Sequence, residues 1–121
     1  MREIKFRGIP TYGKDFVYGS LIININEAGR KEYLIKKHIG IIEVIPETVG
    51  QYTGLKDKNN VEIYEGDYML DSHSGSWGEV KFIKGAFIVE FDNEIQDLYD
   101  WTCESIIGNI YENKELLNEN K

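Results

Sequence analysis

Apolar and polar residues alternate along most of this chain with a period of two, the signature of strands with one face buried. Ile4 and Phe6 alternate with Glu3, Lys5 and Arg7, which predicts a first strand over residues 2–8. After a loop punctuated by Pro10 and Gly13, DFVYGSLIINI (15–25) is rich in β-branched and aromatic residues, so it reads as a long strand with a kink at Gly19. NEAG (26–29) supplies turn residues, and EYLIKKHI returns to complete a hairpin. A short helix over 31–38 is the alternative.

Pro46 has no N–H for a ladder, which places it at a strand end or edge. KDKNN (56–60) is a tight turn, because Asn enters the left-handed conformation more readily than other side-chain-bearing residues. Glu65-Gly66-Asp67 turns the chain again, with Asp67 expected to accept nearby backbone N–H groups. SHSGSWG (72–78) reads as a loop. EVKFIKGAFIVEF (79–91) gives the clearest alternation, a hairpin closed at Lys84-Gly85. Val80, Phe82, Phe87, Val89 and Phe91 face its core, and Phe82 is expected to be buried there.

NEIQDLYDW (93–101) carries both periods and is left open between a short helix, an irregular segment and a strand, while ESIIGNIYE (104–112) reads as the closing strand. Asn113 is placed to N-cap a helix running to Leu117. TVGQYTG (48–54) and IIGNIYE (106–112) share a hydrophobe-glycine-amide-aromatic order, which predicts two similar bends where glycine permits a bulge. No longer period recurs, so a solenoid is excluded.

The chain of 121 residues fits one mainly β domain, divided into an N-terminal β part (1–45) and a second part (46–117). In the second part, the order YEGDYML, WGEVKF, GAFIVEF has the rhythm of a small SH3-like barrel. Fold analogy of that kind carries no function. No apolar run approaches the ~18 residues of a membrane helix, and MREIKFRG lacks the apolar core of a signal peptide. A cytoplasmic protein without membrane contact is the expectation. Cys103 is the sole cysteine, which rules out an internal disulfide and any CxxC motif; it is expected to be a small buried hydrophobe.

Charge is unevenly distributed within the net −7. Residues 1–37 hold eight basic and four acidic side chains, a balance of +4 that leaves −11 for the remainder. Between Lys84 and Lys114 there is no Lys or Arg, and Glu90, Asp92, Glu94, Asp97, Asp100, Glu104 and Glu112 fall in that stretch. Such segregation bears on association.

Motifs for chemistry are sparse. Asp71, His73 and the serines around them have the residue types of a hydrolytic triad, but they are crowded into one loop, whereas triads are assembled from separate elements. His38 and His73 lack zinc-site spacing, the acids from Asp92 to Asp100 lack the register of a calcium loop, and no phosphate-binding glycine loop occurs. The expectation is a non-enzymatic chain with no catalytic residue, metal or cofactor.

MREIKFRG, FVYGSLI, PETVGQYTGLKDKNNVEIYEGD, GEVKF and IIGNIYENKELL occur together and in order along nearly the whole chain. That set resembles the YopX family. The resemblance implies a bacteriophage or prophage origin, a mainly β fold of antiparallel sheets, and no established activity or catalytic residues. The chain departs from the family at Lys114, where proline is frequent; proline would start the C-terminal helix more firmly.

The function expected is that of a phage accessory protein acting through protein–protein contact in the host bacterium, with an unidentified host or phage protein or with another copy of itself. Arg2, Lys5 and Arg7 on the basic side, and Glu90, Asp92, Glu94, Asp97 and Asp100 on the acidic side, are the candidate contact residues. One alternative is a nucleic-acid-binding barrel using Arg2, Lys5, Arg7, Lys36 and Lys37, although an isoelectric point near 4.8 opposes phosphate binding. Another is an acidic mimic of DNA that occupies a host DNA-binding enzyme.

Overall fold

The computed structural model describes residues 3–111. Strand accounts for 54% and helix for 6%, which makes the fold mainly β with two antiparallel sheets, one a curled half-barrel. The chain divides into two compact units, Met1–Tyr52 and Thr53–Lys121, with the boundary inside a strand seven residues beyond the division expected at residue 45.

The first unit contains β1 (Phe6–Gly8), β2 (Val17–Ile25), β3 (Lys31–Lys36), β4 (Ile41–Glu43) and the start of β5 (Gly50–Lys56). They lie in the order β4-β3-β2-β1-β5. The predicted hairpin forms, pairing Leu21 with Ile35 and Ile23 with Tyr33. Asn26 closes its turn by accepting the N–H groups of Ala28 and Arg30 on Oδ1. Two resulting antiparallel strands rule out the helical alternative over 31–38. Beyond β4 the chain returns to the far end of β1, where Val44 bridges Pro10 and the Ile45 N–H donates to the Ile9 carbonyl at 2.8 Å. Ile35 and Val44 are buried here.

Gly19 lies where a side chain would meet the Lys36 carbonyl oxygen, so β2 can run past the end of β3 only without a Cβ there. Pro46 does not end a strand. It opens a 3₁₀ turn over Pro46–Thr48, where its missing N–H costs no hydrogen bond. Thr48 fixes that turn, with its hydroxyl donating to the Ile45 carbonyl at 2.6 Å and accepting the Ile9 N–H at 2.9 Å. The first strand is shorter than expected, running from Phe6 to Gly8, with Lys5 adding one bond as its carbonyl accepts the Tyr52 N–H at 2.9 Å.

The second unit begins within β5 and adds β6 (Glu62–Tyr64), β7 (Asp67–Leu70), β8 (Trp77–Ile83), β9 (Ala86–Phe91), β10 (Glu94–Asp97) and β11 (Ser105–Asn109). Its five-stranded sheet has the order β10-β9-β8-β7-β11, while β6 pairs with β5 in the other sheet. Ile63, Met69, Val80, Val89, Leu98 and Trp101 form the core of the unit. Lys84-Gly85 and Asp92-Asn93 all have positive φ, the geometry of two-residue hairpin turns whose twist matches the strands they join. The stretch left open from the sequence is two things in succession, strand β10 and then a 3₁₀ turn over Leu98–Trp101.

Three turn expectations hold at the level of atoms. Asn60 adopts φ +66° in the KDKNN turn, and Asp67 Oδ2 accepts the Tyr64 N–H at 2.8 Å around Gly66. The bend in IIGNIYE is a register shift between Ile106 and Gly108. Phe82 is a correction: it is 47% exposed. It shares a face with Val80, but it sits next to the hairpin turn beyond the end of the core, where its ring lies 4.8 Å from that of Phe87. The helix expected over Asn113–Leu117 lies outside the described residues. Among the described residues, no helix is long and apolar enough to cross a membrane.

Candidate functional site

Two surfaces of the chain call for an explanation beyond folding. On the first unit, Ile23 and Ile25 project from the same face of β2 at 51% and 65% exposure. Tyr33 stands directly opposite Ile23 on β3. Residues two apart on a strand share a face, so these three side chains form one apolar strip at the turn end of the hairpin.

The second surface is a cleft of about 300 Å³ on the second unit. The loop after β7 supplies Asp71 and His73, the end of β10 supplies Gln96, and the 3₁₀ turn with its exit supplies Asp100, Trp101, Cys103 and Glu104. Each wall has a local cause. Asp71 organises its loop, accepting the His73 N–H on Oδ1 at 2.9 Å and the Ser74 hydroxyl on Oδ2 at 3.1 Å. Those donors, led by the His73 N–H, hold its carboxyl below the usual range and keep it charged. Asp97 caps the 3₁₀ turn by accepting the Tyr99 N–H at 3.0 Å.

That turn buries Leu98 and Trp101 and leaves Asp100 outside. The Trp101 ring meets Phe91 edge-on at 5.3 Å, and its Nε1–H donates to Gln96 Oε1 at 2.7 Å, fixing the Gln96 amide. Cys103 is a second correction. It is exposed, because the turn commits Trp101 to the core and carries Thr102 and Cys103 outward before Glu104 turns back in; its Sγ lies 3.7 Å from the Asp100 carbonyl. Glu104 is only 9% exposed. Its Oε2 accepts the Ser72 N–H at 3.3 Å, its only side-chain hydrogen bond among the described residues.

The contact residues expected from sequence scatter across these surfaces. Arg2 lies outside the described residues. Lys5 pairs with Glu3 at 3.6 Å and lies over the Tyr52 ring at 5.2 Å. Arg7 is buried, its guanidinium 4.2 Å from the Phe16 ring centre, so it adds nothing to an exposed basic surface. Glu90 pairs with Lys81 at 3.0 Å, Asp92 forms a hairpin turn, Glu94 is exposed at the start of β10, and Asp97 is the cap. Asp100 alone of the eight lines the cleft.

The triad types do not assemble. Asp71 meets His73 through the backbone N–H, and the Ser74 hydroxyl donates its hydrogen bond to Asp71 and not to a histidine. Among the described residues, no group of three or more His, Cys, Asp or Glu is placed to hold a metal ion. Trp101 and Gln96 carried no sequence signal for a cleft. Only the fold shows that the acids of two loops, Asp71 and Glu104, meet beside Asp100.

Fold and surfaces together define a small mainly β protein with a recessed acidic cleft and an apolar strip. The chain belongs to the YopX family, whose model, described as YopX protein, matches residues 5–118. Among solved structures it resembles protein EF1440 from Enterococcus faecalis, at 27% identity and a TM-score of 0.64, over 97% of this chain and 99% of that one. It also resembles protein yopX from Bacillus subtilis, at 20% identity and a TM-score of 0.58, over 97% of each chain. The second likeness is one of fold. A search among curated proteins finds no match.

Proposed function

We propose that this chain is a non-enzymatic accessory protein of bacteriophage or prophage origin that works by protein–protein contact in the cytoplasm of its bacterial host. The observation that carries the reading is the apolar strip of Ile23, Ile25 and Tyr33. Single exposed hydrophobes are ordinary, but neighbouring ones on one face cost solubility unless a partner covers them. Family membership supports the same reading, because the sequence motifs that define the family are turn and packing residues.

The test is capture of partners from host cells with wild-type chain and with the Ile23→Ser/Ile25→Ser variant. Both side chains stand at the open end of the face that buries Ile35 and are half or more exposed, so the variant should fold with a small loss of stability, which its denaturation midpoint checks. Loss of a specific companion, whether a second copy or a foreign protein, supports the reading. An identical set of companions from both chains would sink it.

A further inference from the structure

We propose that the cleft beside Trp101 receives the guanidinium group of an arginine side chain presented by a protein partner. The inference rests on the reading of the chain as a contact protein and concerns a surface other than the apolar strip.

Glu104 is the decisive residue. The residue is nine-tenths covered and one oxygen accepts the Ser72 N–H at 3.3 Å, while the other is not a buried atom left without a partner, so the carboxylate is open only toward solvent in the cleft. Oε1 has no hydrogen-bond partner among the described residues, and the side chain borders the cleft. The residues around it add negative charge. Asp71 is held ionised by its loop, and Asp100 is exposed with no ion-pair partner among the described residues. Among the described residues, no Lys or Arg lines the cleft. Three carboxylates line the recess and, among the described residues, only His73 could offset them, so the charge balance favours a cation from outside.

The form of the site selects the cation. These carboxylates are not grouped to converge on one metal ion. A guanidinium spreads five donors over a rigid plane, so it can satisfy two separated carboxylates at once, and it sheds water more readily than an ammonium. The Gln96 amide, locked through Trp101, supplies a fixed polar wall beside it. A cleft of about 300 Å³ is at the small end of ligand sites, suited to a side-chain tip.

Titration of the whole ¹⁵N-labelled chain with N-acetyl-arginine amide, followed by NMR, tests the assignment. Saturable shifts are expected at the Trp101 indole N–H, the Gln96 amide and the Ser72 N–H. N-acetyl-citrulline amide, the same shape without the charge, is expected to give none, and N-acetyl-lysine amide to bind several-fold more weakly. Glu104→Gln should weaken arginine amide binding about tenfold, the effect of one charge-assisted bond. Asp100→Asn weakens it less, and keeps the test valid if Glu104→Gln does not fold, because the Asp100 side chain makes no fold-forming bond.

Absence of saturation, an equal response to citrulline or lysine, or unchanged affinity in Asp100→Asn together with any folded Glu104→Gln, overturns the proposal. So does agmatine binding tenfold tighter than the arginine amide, which would assign the cleft to a free small guanidine. Failure here with partner capture still dependent on Ile23 and Ile25 would leave the contact function standing and remove only the cleft from it.

Discussion

Asp57 Oδ2 accepts the backbone N–H of Ile106 at 3.0 Å, across 49 residues of chain. Its other oxygen accepts the N–H groups of Asn59 and Val61 at 2.8 and 2.9 Å, so one buried carboxylate both shapes the KDKNN turn and ties it to β11. Asp57→Ala orphans three donors at once and should cost roughly 3 kcal/mol or more, since bonds to a charged acceptor are the stronger kind. Asp57→Asn should recover only part of that, because its NH₂ would face an N–H of the chain. Urea denaturation measures both, and a loss under about 1 kcal/mol for Asp57→Ala would show that water replaces the carboxylate.

Thr48 holds a similar position in the first unit. Thr48→Val keeps the shape but leaves the buried Ile9 N–H without the Thr48 hydroxyl, its acceptor among the described residues. The expected loss is about 1–3 kcal/mol. Serine at this position should retain most of the stability, since it keeps the hydroxyl, and equal losses for valine and serine would point instead to the methyl group as the source.

Core position separates Met69 on β7 from Phe82 on β8. Met69 is fully buried, so Met69→Ala should destabilise by about 2–5 kcal/mol through lost transfer energy and the cavity left behind. Phe82 is half exposed and, among the described rings, pairs with Phe87, so Phe82→Ala should cost about 1 kcal/mol, the worth of one aromatic pair. Reversal of that order in chemical denaturation would contradict the packing described for β8.

Glu79 gives stability an unusual pH dependence. It stands directly across from Glu90 on β9 and from Tyr68 on β7, and partial burial raises its carboxyl above the usual range, with Lys81 opposing and Glu90 and Glu65 adding to the rise. Its native form therefore holds a proton more tightly than the unfolded chain, for which a Glu titrates near ~4.3. Glu79's contribution is fully present below that value and is lost as pH rises through the native pKa. Glu79→Gln should raise the urea midpoint at pH 7, with the gain shrinking as pH falls through the same window. A gain that is independent of pH would assign the effect to packing. Tyr68 is pushed up as well, by burial and by Glu79, so its phenol stays protonated throughout this range.

The sequence alone determined what depends on neighbours along the chain. The period of two placed the β2–β3 and β8–β9 hairpins, and backbone preference placed Asn60 and Lys84-Gly85 in left-handed turns. Both are local effects of sterics and burial, written in adjacent residues. The family was legible for the same reason, since its motifs are these turns.

Tertiary structure decided everything that requires distant residues to meet. Alternation put Phe82 on the core face but could not say where that core ended, and Cys103 turned outward because a 3₁₀ turn two residues earlier committed Trp101 to the inside. Arg7 looked like surface charge until its guanidinium was found against Phe16. The acidic run read as one stretch was divided by strand pairing into a turn, a cap, an ion pair with Lys81 and one wall of a cleft. Burial and charge pairing are properties of neighbours in space, and for Glu104 and Asp71 that neighbourhood exists only once β7 and β11 lie side by side.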